Sequence, residues 1–469
     1  MSADNRRRLL IIAVEFPPVK GIGRMRPLKF CQHLPALGWE TAVLTLEQGD
    51  MQPVDLKTLD EIPAGTRVFR ARLPQPKKQA IAWIKSVVAG DTGNKATPPG
   101  DPSEHKTPTG PRNTGFSIKG LAGRMLGGWD AFARKNILIP DDLMLWTKPA
   151  MAAGLAAVRD FKPDIILATA PYFTDFIVGA RLSRATGIPW IADYRDLWTG
   201  DVLREWVPPW RRKLELAMEL RNLATASAIV TVSEPKTRVM QERLAPVSDA
   251  CCLTLTNGYD PEEFEGIVPE VGEPGFFRIV YAGRLFKNRR GYELITAVGL
   301  LVAEHPDYRN RLRLEYFGGI SPEIAERMDE LLEEHNLRDV VKFFPDVPYD
   351  RSKSLQKGAD ALLLIVDGGE TSSGVIPGKL FEYIAADRPI LCLAAPGATT
   401  EIIERGRLGY SVRPDDVMGL KQAVRRLVDG GGTAFAPDRE YIGEFERRKI
   451  VTRLASLLNS VCAPAPGGK

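Results

Sequence analysis

The sequence predicts an α/β protein built from two doubly wound domains that face each other across a cleft. Its 469 residues exceed the size at which one hydrophobic core usually keeps growing. Two series of short apolar runs alternate with helical stretches, and runs this continuous mark strands buried on both faces of a parallel sheet. Between the series lies "DPEEFEGIVPEVGEPG", acidic and rich in proline and glycine, which reads as an interdomain linker.

The first series comprises "LLIIAV" (9–14), "TAVLTL" (41–46), "DIILATA" (164–170), "WIADY" (190–194) and "AIVTV" (228–232). Segments between them, such as "RPLKFCQHLPALG", keep helical apolar spacing despite an internal proline, so the order is that of βαβ units. The second series comprises "FRIVYAG" (277–283), "LRLEYFG" (312–318), "VVKFFPD" (340–346), "ALLLIV" (361–366) and "PILCLA" (389–394). Residues 1–265 are therefore assigned to one domain and 275–435 to the second. Residues 436–469 are expected to form a helix returning to the first domain, then a flexible tail. Open α/β sheets bind ligands at the carboxyl ends of their strands, so the site is expected between the domains.

One region breaks the rhythm. "AGDTGNKATPPGDPSEHKTPTGPRNTG" (89–115) is too polar to build a core and is expected to be disordered. Its flanks, "KKQAIAWIKSVV" and "FSIKGLAGRMLGGWDAFARK", mix cations with Trp, Phe, Leu and Ile. They suit ordinary helices packed on the first domain, which is the preferred reading, and as an alternative an anionic membrane surface.

Composition narrows the function classes. Hydrophobic and charged fractions of 44% and 26% are those of a globular protein. The 63 basic and 59 acidic side chains leave a formal charge of +4, too little for whole-chain electrostatics to demand a nucleic acid. Five cysteines show no metal-type spacing, and two are adjacent, which fits a reducing compartment. "LLIIAV" follows three arginines as in a secretory signal, but Glu15 and Pro17-Pro18 stop it, so it is read as a buried strand. No apolar run approaches the roughly 20 residues of a membrane-spanning helix. A cytoplasmic protein is expected, soluble or attached at the inner face of the membrane.

Four stretches carry candidate chemistry. In "EFPPVKGIGRMR", Gly21 and Gly23 join a strand to a helix whose amino end favours anions; the pattern also suits an ordinary turn. In "IPWIADYRDLWTGD", Asp193, Arg195 and Asp196 gather at a strand's carboxyl end, as a ligand site or as an internal salt bridge. In "YAGRLFKNRRGYELI", Arg284 and Arg290 offer guanidinium groups suited to phosphate oxygens. In "SSGVIPGKLFEY", a helix starting near Gly378 presents its first N–H groups with Lys379, and Glu382 follows one turn later. At about 1.5 Å per residue, that carboxylate lies some 6 Å from the helix mouth, the span from a diphosphate to ribose hydroxyls. An exposed Lys–Glu helical pair is the plainer alternative.

These elements in this order resemble the family 4 glycosyltransferases of the GT-B fold, and among them the bacterial branch that builds surface polysaccharides. The resemblance runs through "FPPVKGIGRMRPLKF", "IPDDLMLW", "DIILATAPY", "DYRDLW", "TVSE", "TNGYD", "AGRL", "RG", "PGKLFEY" and "AADRPIL". It implies two Rossmann-like domains, the first on the acceptor side and the second binding a nucleotide sugar. It also implies retaining transfer to a glycan or lipid-linked hydroxyl. By the same resemblance Arg284 and Arg290 hold the diphosphate, Gly378, Lys379 and Leu380 border it, and Glu382 binds the ribose. Gly21 and Gly23 border the donor phosphates and sugar, and backbone near Val347 meets the nucleobase.

The sequence departs from the family at two places. Gly374 stands where many relatives carry a first glutamate, leaving the sugar contact to the "SSGVIPG" backbone. Arg195 stands near the place of a family histidine, so no catalytic histidine is carried over. Electrostatic stabilisation of the departing diphosphate by Arg284, Arg290 and Lys379 is then the expected mechanism, with Asp193 or Asp196 serving the acceptor. Neither metal nor other cofactor is expected, since cations supply the countercharge and no Asp-x-Asp pair ends a strand. A nucleotide-sugar epimerase of the same fold and a non-catalytic nucleotide-sugar-binding subunit are the competing readings.

Overall fold

The computed structural model describes residues 6–75, 132–201, 204–286, 289–366, 368, 372–431 and 435–463. The polar insert at 89–115 and most of its two flanks lie outside the described residues.

Each continuous apolar run becomes a strand, and the strands form two all-parallel sheets. The first contains β1 (Arg7–Ile12), β2 (Trp39–Leu46), β3 (Arg67–Ala71), β4 (Ile165–Ala170), β5 (Trp190–Tyr194), β6 (Ala228–Thr231) and β7 (Cys251–Thr254). Their order is β3-β2-β1-β4-β5-β6-β7, doubly wound about β1 and β4. The second contains β8 (Phe277–Ala282), β9 (Leu312–Phe317), β10 (Val341–Phe344), β11 (Ala361–Ile365), β12 (Ile390–Leu393) and β13 (Gly409–Val412). Its order, β10-β9-β8-β11-β12-β13, repeats the pattern about β8 and β11.

The helices named below are α1 (Met25–His33), α2 (Thr147–Phe161), α3 (Thr174–Thr186), α4 (Pro209–Leu223) and α5 (Glu234–Leu244) beside the first sheet. With the second sheet come α6 (Tyr292–Glu304), α7 (Pro322–Glu334), α8 (Tyr349–Gly358), α9 (Gly378–Ala386), α10 (Ala398–Arg405) and α11 (Val417–Gly430). The short α12 (Arg439–Gly443) and then α13 (Arg447–Val461) follow.

Successive side chains of a strand point to opposite faces, and β1 sorts accordingly. Leu10 and Ile12 pack with Trp146, Phe176 and Trp190 under α2 and α3, while Leu9 and Ile11 pack with Leu28 of α1 and Leu454 of α13. The final helix thus covers the first sheet although it follows the second in sequence. On its way back the chain runs beside the outgoing connection, where Tyr259 N–H donates to Phe445 O at 3.1 Å and Arg447 N–H to Tyr259 O at 2.9 Å. In the second domain Ile279 and Tyr281 face α6 and α11, and Val280 faces Leu380 and Phe381 of α9.

Candidate active site

A cavity of about 760 Å³ lies between the two domains. Its walls include the loop after β1, the turn after β5, the start of α5, the end of β8 and the amino end of α9. Of the residues singled out in the sequence, Gly21, Gly23, Arg195, Asp196, Val347, Gly378, Lys379 and Glu382 line it.

The amino end of α9 opens on this cavity, and Pro377 before it provides no side-chain cap. Lys379, in the first turn, reaches across to the end of β8, its Nζ 4.9 Å from the centre of the Tyr281 ring. A Cβ on Gly283 would collide with that ammonium, so glycine at the strand end is what lets the lysine lie there. One turn into α9, Glu382 accepts a hydrogen bond from Gln356 Nε2 of α8 at 3.3 Å. Burial is the largest influence on its carboxyl group and raises its pKa; the Gln356 hydrogen bond and the Lys379 charge counter part of that rise. Across the cavity the tip of the first glycine loop meets the same helix mouth, since Ile22 Cδ1 would stand 2.7 Å from a Cβ on Gly378.

The cluster in "DYRD" divides its labour. Asp193, 1% exposed, does not reach the cavity. It is held by Arg26 of α1 through contacts of 2.7 and 2.9 Å and by the Thr169 hydroxyl at 2.7 Å. Strand β5 is buried on both faces, so this carboxylate ties α1 to the sheet instead of facing a substrate. Arg195 lines the cavity while positioning its wall, donating to Gly23 O and to Glu15 Oε2, each at 2.7 Å. Asp196 also lines the cavity and pairs with Lys236 Nζ at 3.1 Å.

Arg284 and Arg290 stand outside the lining. Arg284 is largely exposed and pairs at 3.2 Å with Asp346, itself a lining residue, which draws that carboxyl below its ordinary range. The Arg290 guanidinium lies 5.4 Å from the centre of the Tyr292 ring. Leu380 is wholly buried in the core under α9 and contributes to the site through the helix backbone alone.

Lys236 was not singled out by sequence reasoning. Only 5% of its side chain is exposed, yet it lines the cavity and donates to Arg195 O at 2.9 Å. The available signal was "TVSE", which ends β6 and starts α5 three residues before it. Ser233 beside it donates to Gly374 O at 2.7 Å, joining the domains. A Cβ on Gly374 would stand 3.1 Å from Lys236 Cγ. A side chain at 374 would therefore press on Lys236 of the opposite domain.

Comparison with known proteins follows the same two halves. Residues 277–430 match the family described as "Glycosyl transferases group 1", and residues 109–249 match "Glycosyl transferase 4-like domain". The chain belongs to the family 4 glycosyltransferases of the GT-B fold. A D-inositol 3-phosphate glycosyltransferase of Nocardioides sp. is 26% identical over 283 residues, covering 52% of this chain and 59% of that protein. The chain thus spans less than two thirds of that relative's length. Among solved structures, sucrose-phosphate synthase of Thermosynechococcus elongatus superposes with a TM-score of 0.61 at 16% identity, over 97% of this chain and 99% of that one. Anabaena HepE, crystallised with UDP-glucose, superposes with a TM-score of 0.54 at 14% identity, over 97% of this chain and 99% of that one. At these identities the likeness is one of fold. Among the described residues no helix is long and apolar enough to cross a membrane.

Proposed function

We propose that this glycosyltransferase moves a sugar, with retention, from a nucleoside-diphosphate donor to a hydroxyl of a glycan or lipid-linked acceptor. The pathway is polysaccharide or glycoconjugate assembly at the cytoplasmic face of the membrane. The observation that carries the reading is the meeting of α9 with the end of β8. Lys379 lies against Gly283 at an uncapped helix terminus, and Glu382 lines the cavity one turn further on. Helix N–H groups and the lysine suit a diphosphate, and the carboxylate suits ribose hydroxyls. UDP-glucose bound to the structurally similar HepE agrees with a donor of this class.

In the reaction the acceptor oxygen bonds to the anomeric carbon on the face from which the diphosphate leaves. The electron pair of the breaking C–O bond departs on the diphosphate, and the acceptor's proton passes to the departing diphosphate oxygen as that bond breaks. Lys379 and the α9 amino end stabilise the departing charge, joined by Arg284 and Arg290 from the rim. These cations provide the countercharge without a metal. Asp193 is committed to Arg26, so Asp196 is the carboxylate of its cluster available to orient the acceptor hydroxyl. Backbone near Val347 is assigned to the nucleobase.

Calorimetric titration with UDP, GDP, ADP and dTDP tests the reading. One diphosphate is expected to bind, and Lys379→Ala and Glu382→Ala are each expected to weaken it. Binding unchanged in both variants would remove the site assignment. Acceptor-dependent release of that diphosphate from its sugar then separates transfer from epimerisation or mere binding.

A further inference from the structure

Helix α4 is amphipathic in the reverse sense. Its buried stripe is charged: Arg211, Glu215 and Glu219 are each at most 1% exposed. These charges are satisfied internally. Arg211 Nε meets Glu215 Oε1 at 2.5 Å, and Glu219 accepts from Tyr194 Oη at 2.9 Å and Thr199 Oγ1 at 2.6 Å. Its outward face carries Trp210 and Leu214, one turn apart and 49% and 44% exposed, with Lys213 between them. A helix beside water is ordinarily built the other way round.

The same surface continues beyond the helix. Trp206, 53% exposed, packs with its ring centre 5.3 Å from the Arg211 guanidinium. The other nitrogens of Arg211 hold the carbonyls of Lys135 at 3.0 Å and Pro140 at 2.9 Å. Phe132 and Ile137, both exposed, belong to the segment that this clamp ties to α4. Large apolar side chains gathered at one surface mark an interaction site. Exposed Lys135 and Lys213 flank them, so the face offers aromatic rings with cations, the pattern of a helix lying at an anionic lipid surface. Because α4 links parallel β5 to β6, its amino end, with both tryptophans, lies at the carboxyl end of the strands. This is the end that borders the cleft.

We propose that the α4 face docks on an anionic lipid–water interface, holding the cleft mouth where a lipid-linked acceptor would present its hydroxyl. The function proposed above already sets the protein at a membrane face, and the lipid-linked acceptor rests on that reading; the choice of the α4 face as the surface that meets lipid does not. Flotation of the full chain with phosphatidylcholine vesicles, with and without phosphatidylglycerol, is the test. Binding to the anionic vesicles is expected, with Trp206→Ser/Trp210→Ser weakening it at least about tenfold. Lys135→Glu/Lys213→Glu, at exposed positions that leave folding intact, is expected to abolish the preference for anionic lipid. Both variants should retain nucleoside-diphosphate binding. Absence of vesicle binding by the unaltered protein, or binding unchanged in both variants, overturns the proposal. So does a dimer that the tryptophan variant dissociates, which would assign the face to a second copy. Loss of diphosphate binding in the unaltered protein would instead sink the proposed donor site and leave vesicle docking standing.

Discussion

Lys379 and Gly283 act as one unit, because the space a side chain would need at 283 is the space the ammonium occupies. Gly283→Ala is therefore predicted to displace the ammonium and weaken diphosphate binding, by less than Lys379→Ala because the flexible lysine keeps its charge. The charge-assisted hydrogen bond lost in Lys379→Ala is worth about 1.5–3 kcal/mol, or roughly ten- to a hundredfold in affinity. Titration calorimetry of both variants checks that order. Glu382 makes a prediction about pH. Burial, opposed by Gln356 and Lys379, raises its pKa in the fold, so its protonated form stabilises the free protein at low pH. That stabilisation is lost as pH rises through the folded value. Ribose hydroxyls need the ionised form, so donor affinity should fall as pH drops through a value above the ordinary glutamate pKa of about 4.3. Glu382→Gln should bind more weakly at neutral pH and lack that acid limb, as titrations at stepped pH would show.

At the scale of elements, the pair joining α1 to β5 is structural. Asp193→Ala leaves a guanidinium buried without its partner, which costs about 3–5 kcal/mol. Denaturant unfolding should register that loss, while diphosphate affinity per folded molecule stays near that of the unaltered protein. A catalytic Asp193 would give the opposite pattern. Sequence spacing showed the carboxylate at a strand's carboxyl end but not its partner, Arg26, 167 residues away. The glycine loop and the start of α9 were legible because glycine, proline and a following apolar period mark a helix start wherever they occur. Among strands, the ten apolar runs were legible, nine because they are largely buried on both faces and β10, exposed at Lys342 and Phe344, because its residues are mostly apolar. Strands β3, β7 and β13 were not, since "RVFRA", "CCLT" and "GYSV" are partly exposed and carry no unbroken apolar run. Lys236 escaped for the reason Asp193 misled: its neighbours are assembled from distant segments.

The whole molecule is joined at a compact cluster of charge. Asp260 meets Lys29 Nζ at 2.6 Å and Arg447 NH1 at 2.9 Å, with His33 Nε2 at 3.4 Å, so α1, the outgoing connection and α13 converge on one carboxylate. Burial alone would raise its pKa, but the nearby His33 imidazole and the charges of Arg447 and Lys29 prevail and hold it well below the usual carboxylate range. A carboxyl depressed in the fold stabilises it above the unfolded value, about 3.9, and the contribution is lost as pH falls toward the folded one. Asp260→Asn should thus melt lower than the unaltered protein at neutral pH, with the gap closing only in strong acid. Thermal scans across pH would reveal it. Leu454, wholly buried under the first sheet, supplies a second measurement. Leu454→Ala is predicted to cost about 2–5 kcal/mol, read from the denaturation midpoint of the first domain.

The return of α13 also sets the order in which the protein is made. The helix that completes the first core is translated after all six strands of the second sheet. The second domain is thus threaded through the first as an insertion, free to close around its own core on the ribosome while its neighbour waits. A nascent chain paused before Arg447 would present Leu9, Ile11 and Ile191 to chaperones instead of to α13.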